Sequence, residues 1–233
     1  MRRKGLIVLG ALAVLFILFA LQGCKSTPEK GLLRAYFSAI SMKDTTTMST
    51  MAVEPMSIDA ASWKITSVSE EKIEQVNLVD LGKAELEFKK KLEEHVGPVM
   101  EAEDALYGAQ EEQKAARTGP ARAAAKAKVD EMQAKFDQER EIHKQLQRDY
   151  NEAKAAAQKE KDTAIFSIGA GEVANIMDLT GTVHTKDVDV DVTGKDGKVT
   201  PYRFNLRKYE LRDEAANLTR RGRWIIVRFA PVS

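Results

Sequence analysis

Residues 99–161 restrict the fold more than any other stretch of this chain. Fifteen of those 63 residues are alanine and 25 are charged, 13 acidic and 12 basic, with the signs interspersed. Such a stretch has too few large apolar side chains to form a domain core and reads as long, solvated helix. Thr118-Gly119-Pro120 interrupts it, and a Gly-Pro pair stops a helix and reverses the chain. After the interruption, Ala125, Val129, Met132, Phe136, Glu139, His143, Leu146, Tyr150, Ala153 and Ala157 alternate by four and three, a heptad seam. Before it, Phe88, Leu92, Val96, Val99 and Leu106 form a looser seam, and Gly97-Pro98 is expected to kink that arm. The simplest structure is an antiparallel coiled-coil hairpin over 83–161, with arms 83–117 and 121–161.

The N-terminus carries a second signal. Arg2, Arg3 and Lys4 precede an uncharged apolar run from Gly5 to Gly23, followed by Cys24, the single cysteine of the chain. A cationic end before an apolar stretch fits a secretory signal. An uncleaved membrane helix, for which the run is nearly long enough, is the duller reading. Leu21-Gln22-Gly23-Cys24 resembles the bacterial lipobox. That resemblance implies signal-peptidase recognition through Leu21 and Gly23, removal of residues 1–23 and diacylglyceryl attachment to Cys24. It places the remainder in the cell envelope, anchored to a membrane and facing the periplasm. Lys25, where an aspartate would favour inner-membrane retention, implies the outer membrane.

The segments flanking the hairpin, 24–82 and 162–233, read as the two parts of one α+β body. Leu32, Leu33, Tyr36, Phe37 and Ile40 make an apolar helical stripe that opens at Thr27-Pro28-Glu29 and is broken by Lys43-Asp44. Ser62 to Val68 reads as a strand, and 77–82 is ambiguous between strand and turn. Val188, Val190 and Val192 alternate with Asp187, Asp189 and Asp191, and Gly194-Lys195-Asp196-Gly197 is a hairpin turn. The return strand carries Val199, Tyr202, Phe204 and Leu206. The last strand, 223–229, is apolar on both faces and is expected to be central or packed on both sides. The fold class is therefore α+β: a small antiparallel curved sheet with N-terminal helices and an inserted helical hairpin.

Leu33-Arg34-Ala35-Tyr36-Phe37-Ser38-Ala39-Ile40, Ser62-Trp63-Lys64-Ile65 and Gly222-Arg223-Trp224-Ile225-Ile226-Val227 weakly resemble the nuclear transport factor 2-like fold. In that fold N-terminal helices lie in the concave face of a curved sheet. Its members include enzymes and non-catalytic envelope lipoproteins, so the resemblance implies no reaction.

The residue types exclude several chemistries. The formal charge is +1, and −2 (33 − 35) without residues 1–23, which leaves no broad footprint for nucleic acid. One cysteine allows no internal disulfide or CxxC pair. His95, His143 and His184 lack metal-ligand spacing, and His143 reads as a register-setting layer beside Glu139. Asp187, Asp189, Asp191 and Asp196 could begin a calcium loop, but Thr200 stands where the bidentate glutamate belongs; they read as the wet face of a strand. Gly169-Ala170-Gly171 with Ala174 matches G-x-G-x-x-A. Glu172 would oppose a pyrophosphate there and no further βαβ units follow, so a turn leaving the hairpin is the better reading. Arg220, Arg221 and Arg223 read as a solvated turn, and Tyr36, Phe37, Trp63, Trp224 and Phe229 as core. No catalytic set, metal or cofactor is expected. The expected function is that of a lipid-anchored, non-catalytic scaffold or binding module. Its partner would be a protein or a second copy, met through the hairpin, with the tip cations Arg117 and Arg122 as contacts. A periplasmic transport adaptor and a ligand-binding or enzymatic pocket in the sheet are the rivals.

Overall fold

A computed structural model describes residues 27–169, 171 and 173–232. Leu21, Gly23 and Cys24 lie outside the described residues, so the lipobox has no structural counterpart here. The elements in chain order are α1 (Pro28–Met42), α2 (Thr45–Ser49), β1 (Ser62–Val68), β2 (Lys72–Gln75), α3 (Leu78–Glu94), α4 (Val96–Ala115), α5 (Gly119–Ile168), β3 (Thr180–Thr193), β4 (Val199–Asp213), β5 (Leu218–Arg221) and β6 (Ile225–Pro231). The class is α+β, with an antiparallel sheet in which β3 pairs with β1, β2 and β4, and β4 pairs also with β5 and β6. The chain divides into two compact units. One holds residues up to 72 with 185–207 and 224–233, and the other holds 73–184 with 208–223.

In the first unit, Pro28 opens α1 with a preset φ and a missing N–H that the first turn does not need. Lys43, in the left-handed region at φ 56°, ends it, and Asp44 caps α2 by accepting from the Thr47 amide at 2.9 Å. Leu33, Tyr36, Phe37 and Ile40 are buried against Val188, Val190 and Val192 of β3 and against Phe204, Leu206, Ile226 and Phe229. Phe37 stacks on Trp63 at 4.9 Å and Phe204 on Phe229 at 4.5 Å between ring centroids. The aspartates between the valines face the other way. Asp189 accepts from both Arg203 Nε at 2.7 Å and Ser67 Oγ at 3.0 Å, and Asp187 accepts from Asn205.

The last strand is not central, but it is packed on both sides at its start, the other alternative expected of it. Among the described residues β6 pairs with one strand, β4, and its other edge is met only at Ile226, by a single bridge to Ala52. Ile225 and Ile226 are nonetheless both fully buried. They pair in consecutive register with Arg207 and Leu206 and so face opposite sides, which means the strand is packed on both faces there; a bulge follows. Ile226 lies opposite Leu206 and Arg228 opposite Asn205, which leaves Val227 as an extra residue and resets the alternation so that Ile226 and Phe229 enter the same core.

The first unit also buries a charge cluster that sequence reading missed. Glu29, in the first turn of α1, is 2% exposed, and one of its oxygens accepts from Lys186 while the other has no partner among the described residues. Lys186 Nζ also lies 3.1 Å from Glu71 and 5.1 Å from the centre of the Trp224 ring. Burial alone would raise the Glu29 carboxyl, but the Lys186 hydrogen bond and charge, with hydrogen bonds from its own amide and Thr27, hold it below its ordinary value. Burial likewise opposes the Lys186 charge, and the two carboxylates override it and raise the ammonium.

The second unit packs Leu78, Ala164, Val173, Ile176, Leu179, Val183, Tyr209 and Leu211 together. Leu78 in this core explains why 77–82 is helical rather than strand or turn, since α3 must start there to bury it. Gly181 has φ +141°, and a Cβ there would lie 2.0 Å from the Glu210 carbonyl oxygen. Ser167, at the end of α5, donates from Oγ to the Arg223 carbonyl at 2.7 Å and accepts there from the Tyr209 amide at 3.1 Å. The Tyr209 hydroxyl donates to Glu160 at 2.8 Å. Residues 165–168 belong to α5, and Gly169 is its left-handed C-cap at φ 66°, so the glycines near 170 follow a helix and not a strand.

Candidate interaction surface on the helical hairpin

α3 and α4 form one arm and α5 the other, and both α3 and α4 pack along α5. All ten seam positions on α5, from Ala125 to Ala157, are buried or half-buried, while almost every residue between them is exposed. On the first arm the inward positions are Phe88, Leu92, His95, Val99, Ala102, Leu106, Ala109, Gln113 and Ala116, again alternating by four and three. Val96, expected in the seam, is 44% exposed, and His95 takes its place. The kink falls there too. α3 ends at Glu94 and α4 begins at Val96, because Pro98 has no N–H to carry the hydrogen-bond ladder across the joint. The ladder breaks, but the heptad phase does not.

This register brings together three residues from distant positions. His95 Nε2 lies 3.0 Å from Glu139 Oε2, and the His95 and His143 rings stack at 5.9 Å between centroids. The Nδ1 atoms of both histidines are buried without a partner among the described residues. Among those residues, no group of three His, Cys, Asp or Glu side chains is arranged to hold a metal ion. The cluster is a polar layer in an apolar seam, and such layers fix register at a cost in stability. His143→Leu is therefore expected to stabilise the chain by about 1 kcal/mol, since it removes an imidazole whose Nδ1 is buried without a partner among the described residues. A lower melting temperature for the variant would show that the layer is held by attraction instead.

At the tip, the Thr118 hydroxyl caps α5 by accepting from the Ala121 amide at 3.4 Å. Arg122 Nε donates to the Ala116 carbonyl at 3.1 Å, closing the C-terminus of the first arm. Arg117 is exposed and has no ion pair or hydrogen bond among the described residues. The two tip cations thus differ: Arg122 helps to hold the turn, and Arg117 is free to meet a partner. Below them Lys128 bridges the arms to both Glu112 oxygens at 2.7 and 2.6 Å. Elsewhere, of the residues weighed for calcium, Asp189 is engaged with Arg203 and Ser67 and Asp187 with Asn205 on the face of a strand, and Asp196 accepts from the Lys198 amide at 3.0 Å in the turn. Among the described residues no helix is long and apolar enough to cross a membrane.

The outer face of the first arm carries what sequence reading did not single out. Leu86, Val96, Met100 and Tyr107 are 67, 44, 58 and 65% exposed. Their spacings place them on one side of the arm, away from the seam. The signal was present as a second heptad row, but it can be told from the seam only once the seam's own phase is fixed at His95.

Comparison with known proteins returns no matching family model, no matching curated protein and no matching solved structure.

Proposed function

We propose that this chain is a lipid-anchored, non-catalytic protein of the cell envelope that binds through its helical hairpin. The observation that carries the reading is the hairpin itself. Its arms run well beyond what the second unit's core uses, yet their seam is kept in heptad phase for their whole length, and one outer face remains apolar and exposed. Scaffolds and adaptors use helices in this way, by offering a face of regularly spaced anchors. The anchor rests on Leu21-Gln22-Gly23-Cys24, with an outer-membrane location supported by Lys25. Two acyl chains or more would hold the protein stably to the bilayer.

Two results test this. Cys24→Ser should abolish acylation and processing, read by intact mass, and release the protein from the membrane fraction; an unmodified, unprocessed wild-type chain would overturn the anchor. Replacing 99–161 by a short Gly/Ser linker should leave a cooperative unfolding transition, because the first unit's core contains no hairpin residue. It should also remove the chain's crosslinked envelope partners. If every crosslink survives the replacement, the hairpin is not the binding element.

A further inference from the structure

We infer that the outer face of the first arm docks a second copy of this chain, antiparallel, about a two-fold axis at Gly97. The inference rests on the hairpin being the binding element and names its partner. Two adjacent rows on this face, each with a repeat of seven, carry the argument. One row is Leu86, Glu93, Met100 and Tyr107. The other is Lys83, Lys90, Gly97, Asp104 and Glu111.

The second row is self-complementary when reversed. Turned end for end about Gly97, it sets Lys83 against Glu111 and Lys90 against Asp104, twice over in a two-fold pair. The same operation sets Leu86 of one copy against Tyr107 of the other and Met100 against the stem of Glu93, with Val96 beside the centre. A parallel pairing would instead oppose lysine to lysine and aspartate to aspartate. The residue on the axis is the one with no side chain, and a Cβ added at Gly97 meets nothing within 4 Å, so the space over it is open for a second backbone to approach closely.

The charges are available for such a contact. Asp104 and Lys83 form no ion pair among the described residues, and Lys90 meets only Glu94, at 3.7 Å with both side chains largely exposed. Glu111 is held by Lys114 of its own helix at 2.6 Å and would exchange or share that partner. The apolar strip is narrow, so pairing in dilute solution is weak, and confinement of both copies to one membrane raises their effective concentration. The reversed arrangement also sets the tip of each hairpin beside the base of the other, with Lys114 level with the exposed Asp80.

The test is disulfide crosslinking of the full chain in membranes, between two differently tagged copies. Leu86→Cys in one copy and Tyr107→Cys in the other should give a mixed-tag dimer, with the parent chain as the control for Cys24. Leu86→Cys in both copies should give none, because those positions lie at opposite ends of the pair. Lys83→Glu with Lys90→Glu should abolish the 86–107 link without shifting the melting temperature. Adding Asp104→Lys and Glu111→Lys to that same chain should restore it. Absence of the 86–107 link, or an 86–86 link in its place, overturns the proposal. If the 86–107 link fails while the linker-replaced chain still loses its envelope crosslinks, the hairpin binds a different protein and the self-pairing alone is wrong. If the link forms and the linker-replaced chain keeps every other crosslink, self-pairing stands and the wider reading fails.

Discussion

Gly181→Ala is expected to destabilise the chain by about 4 kcal/mol, measured by urea unfolding of the purified protein. A Cβ at Gly181 would stand 2.0 Å from the Glu210 carbonyl oxygen and 3.0 Å from the Leu211 Cα, and both are backbone atoms of the paired strand. Neither can swing aside as a side-chain tip could, so the two strands would have to separate. The φ of +141° adds strain of its own, since side chains other than hydrogen rarely tolerate it. Gly169→Ala is the matched control. It also has positive φ, at +66°, but open space around the new methyl. It should cost only about 1 kcal/mol. Equal losses at the two sites would show that backbone conformation, and not the close approach, governs Gly181.

Lys186→Ala should cost about 3 kcal/mol at neutral pH, because it leaves Glu29 as a buried carboxylate without its cation. The pH dependence has a definite sign. In the wild type the Glu29 carboxyl is held below its ordinary value, so its contribution is present above about pH 4.3 and is lost as pH falls through the lowered value. In the variant the lowering by Lys186 is gone, and burial, the largest influence, is opposed only by the hydrogen bonds from Glu29's own amide and Thr27. The deficit of Lys186→Ala should therefore be full at pH 7 and shrink steadily below about pH 4 as Glu29 takes up a proton. At the alkaline end the wild-type advantage is present below about pH 10.4 and is lost as the raised Lys186 releases its proton. The double variant Glu29→Gln/Lys186→Met should recover most of the loss, since a neutral pair of similar volume carries no stranded charge. A deficit that stays constant from pH 7 to 3 would remove the buried charge as its cause.

How much of this was legible in the sequence depended on distance along the chain. The α5 seam was read position by position, because heptad spacing is a local property and nothing interrupts it from Ala125 to Ala157. On the first arm the spacing misleads at Val96, which is exposed, while His95 faces the seam. Gly97-Pro98 hides the phase there, and a histidine does not announce itself as a seam residue. The Lys43-Asp44 break and the valine–aspartate alternation of β3 were also plain, since each follows from one residue's own backbone or side-chain preference. The contacts that decide stability were not. Glu29 and Lys186 stand 157 residues apart, and nothing near either one announces the other. Gly181 looks like any strand glycine until Glu210 is set against it. The two-sided burial of the last strand is legible in its adjacent isoleucines, whereas its place at a sheet edge and the bulge at Val227 are not, since both depend on β4.

The attachment of α5 has a mechanical consequence. The helix runs unbroken from Gly119 to Ile168, and its base is gripped at two places, by Tyr209 on Glu160 and by the paired hydrogen bonds of Ser167. At 1.5 Å per residue the grips stand about 10 Å apart and the tip about 60 Å beyond them. The hairpin is thus a lever with a short inner arm. A sideways load applied at Arg117 reaches the base magnified about sevenfold, where the Tyr209–Glu160 hydrogen bond shares it with the packing of Ala164 and Ile168, so pulling on the tip would be felt first at the seat of the helix and not along its length.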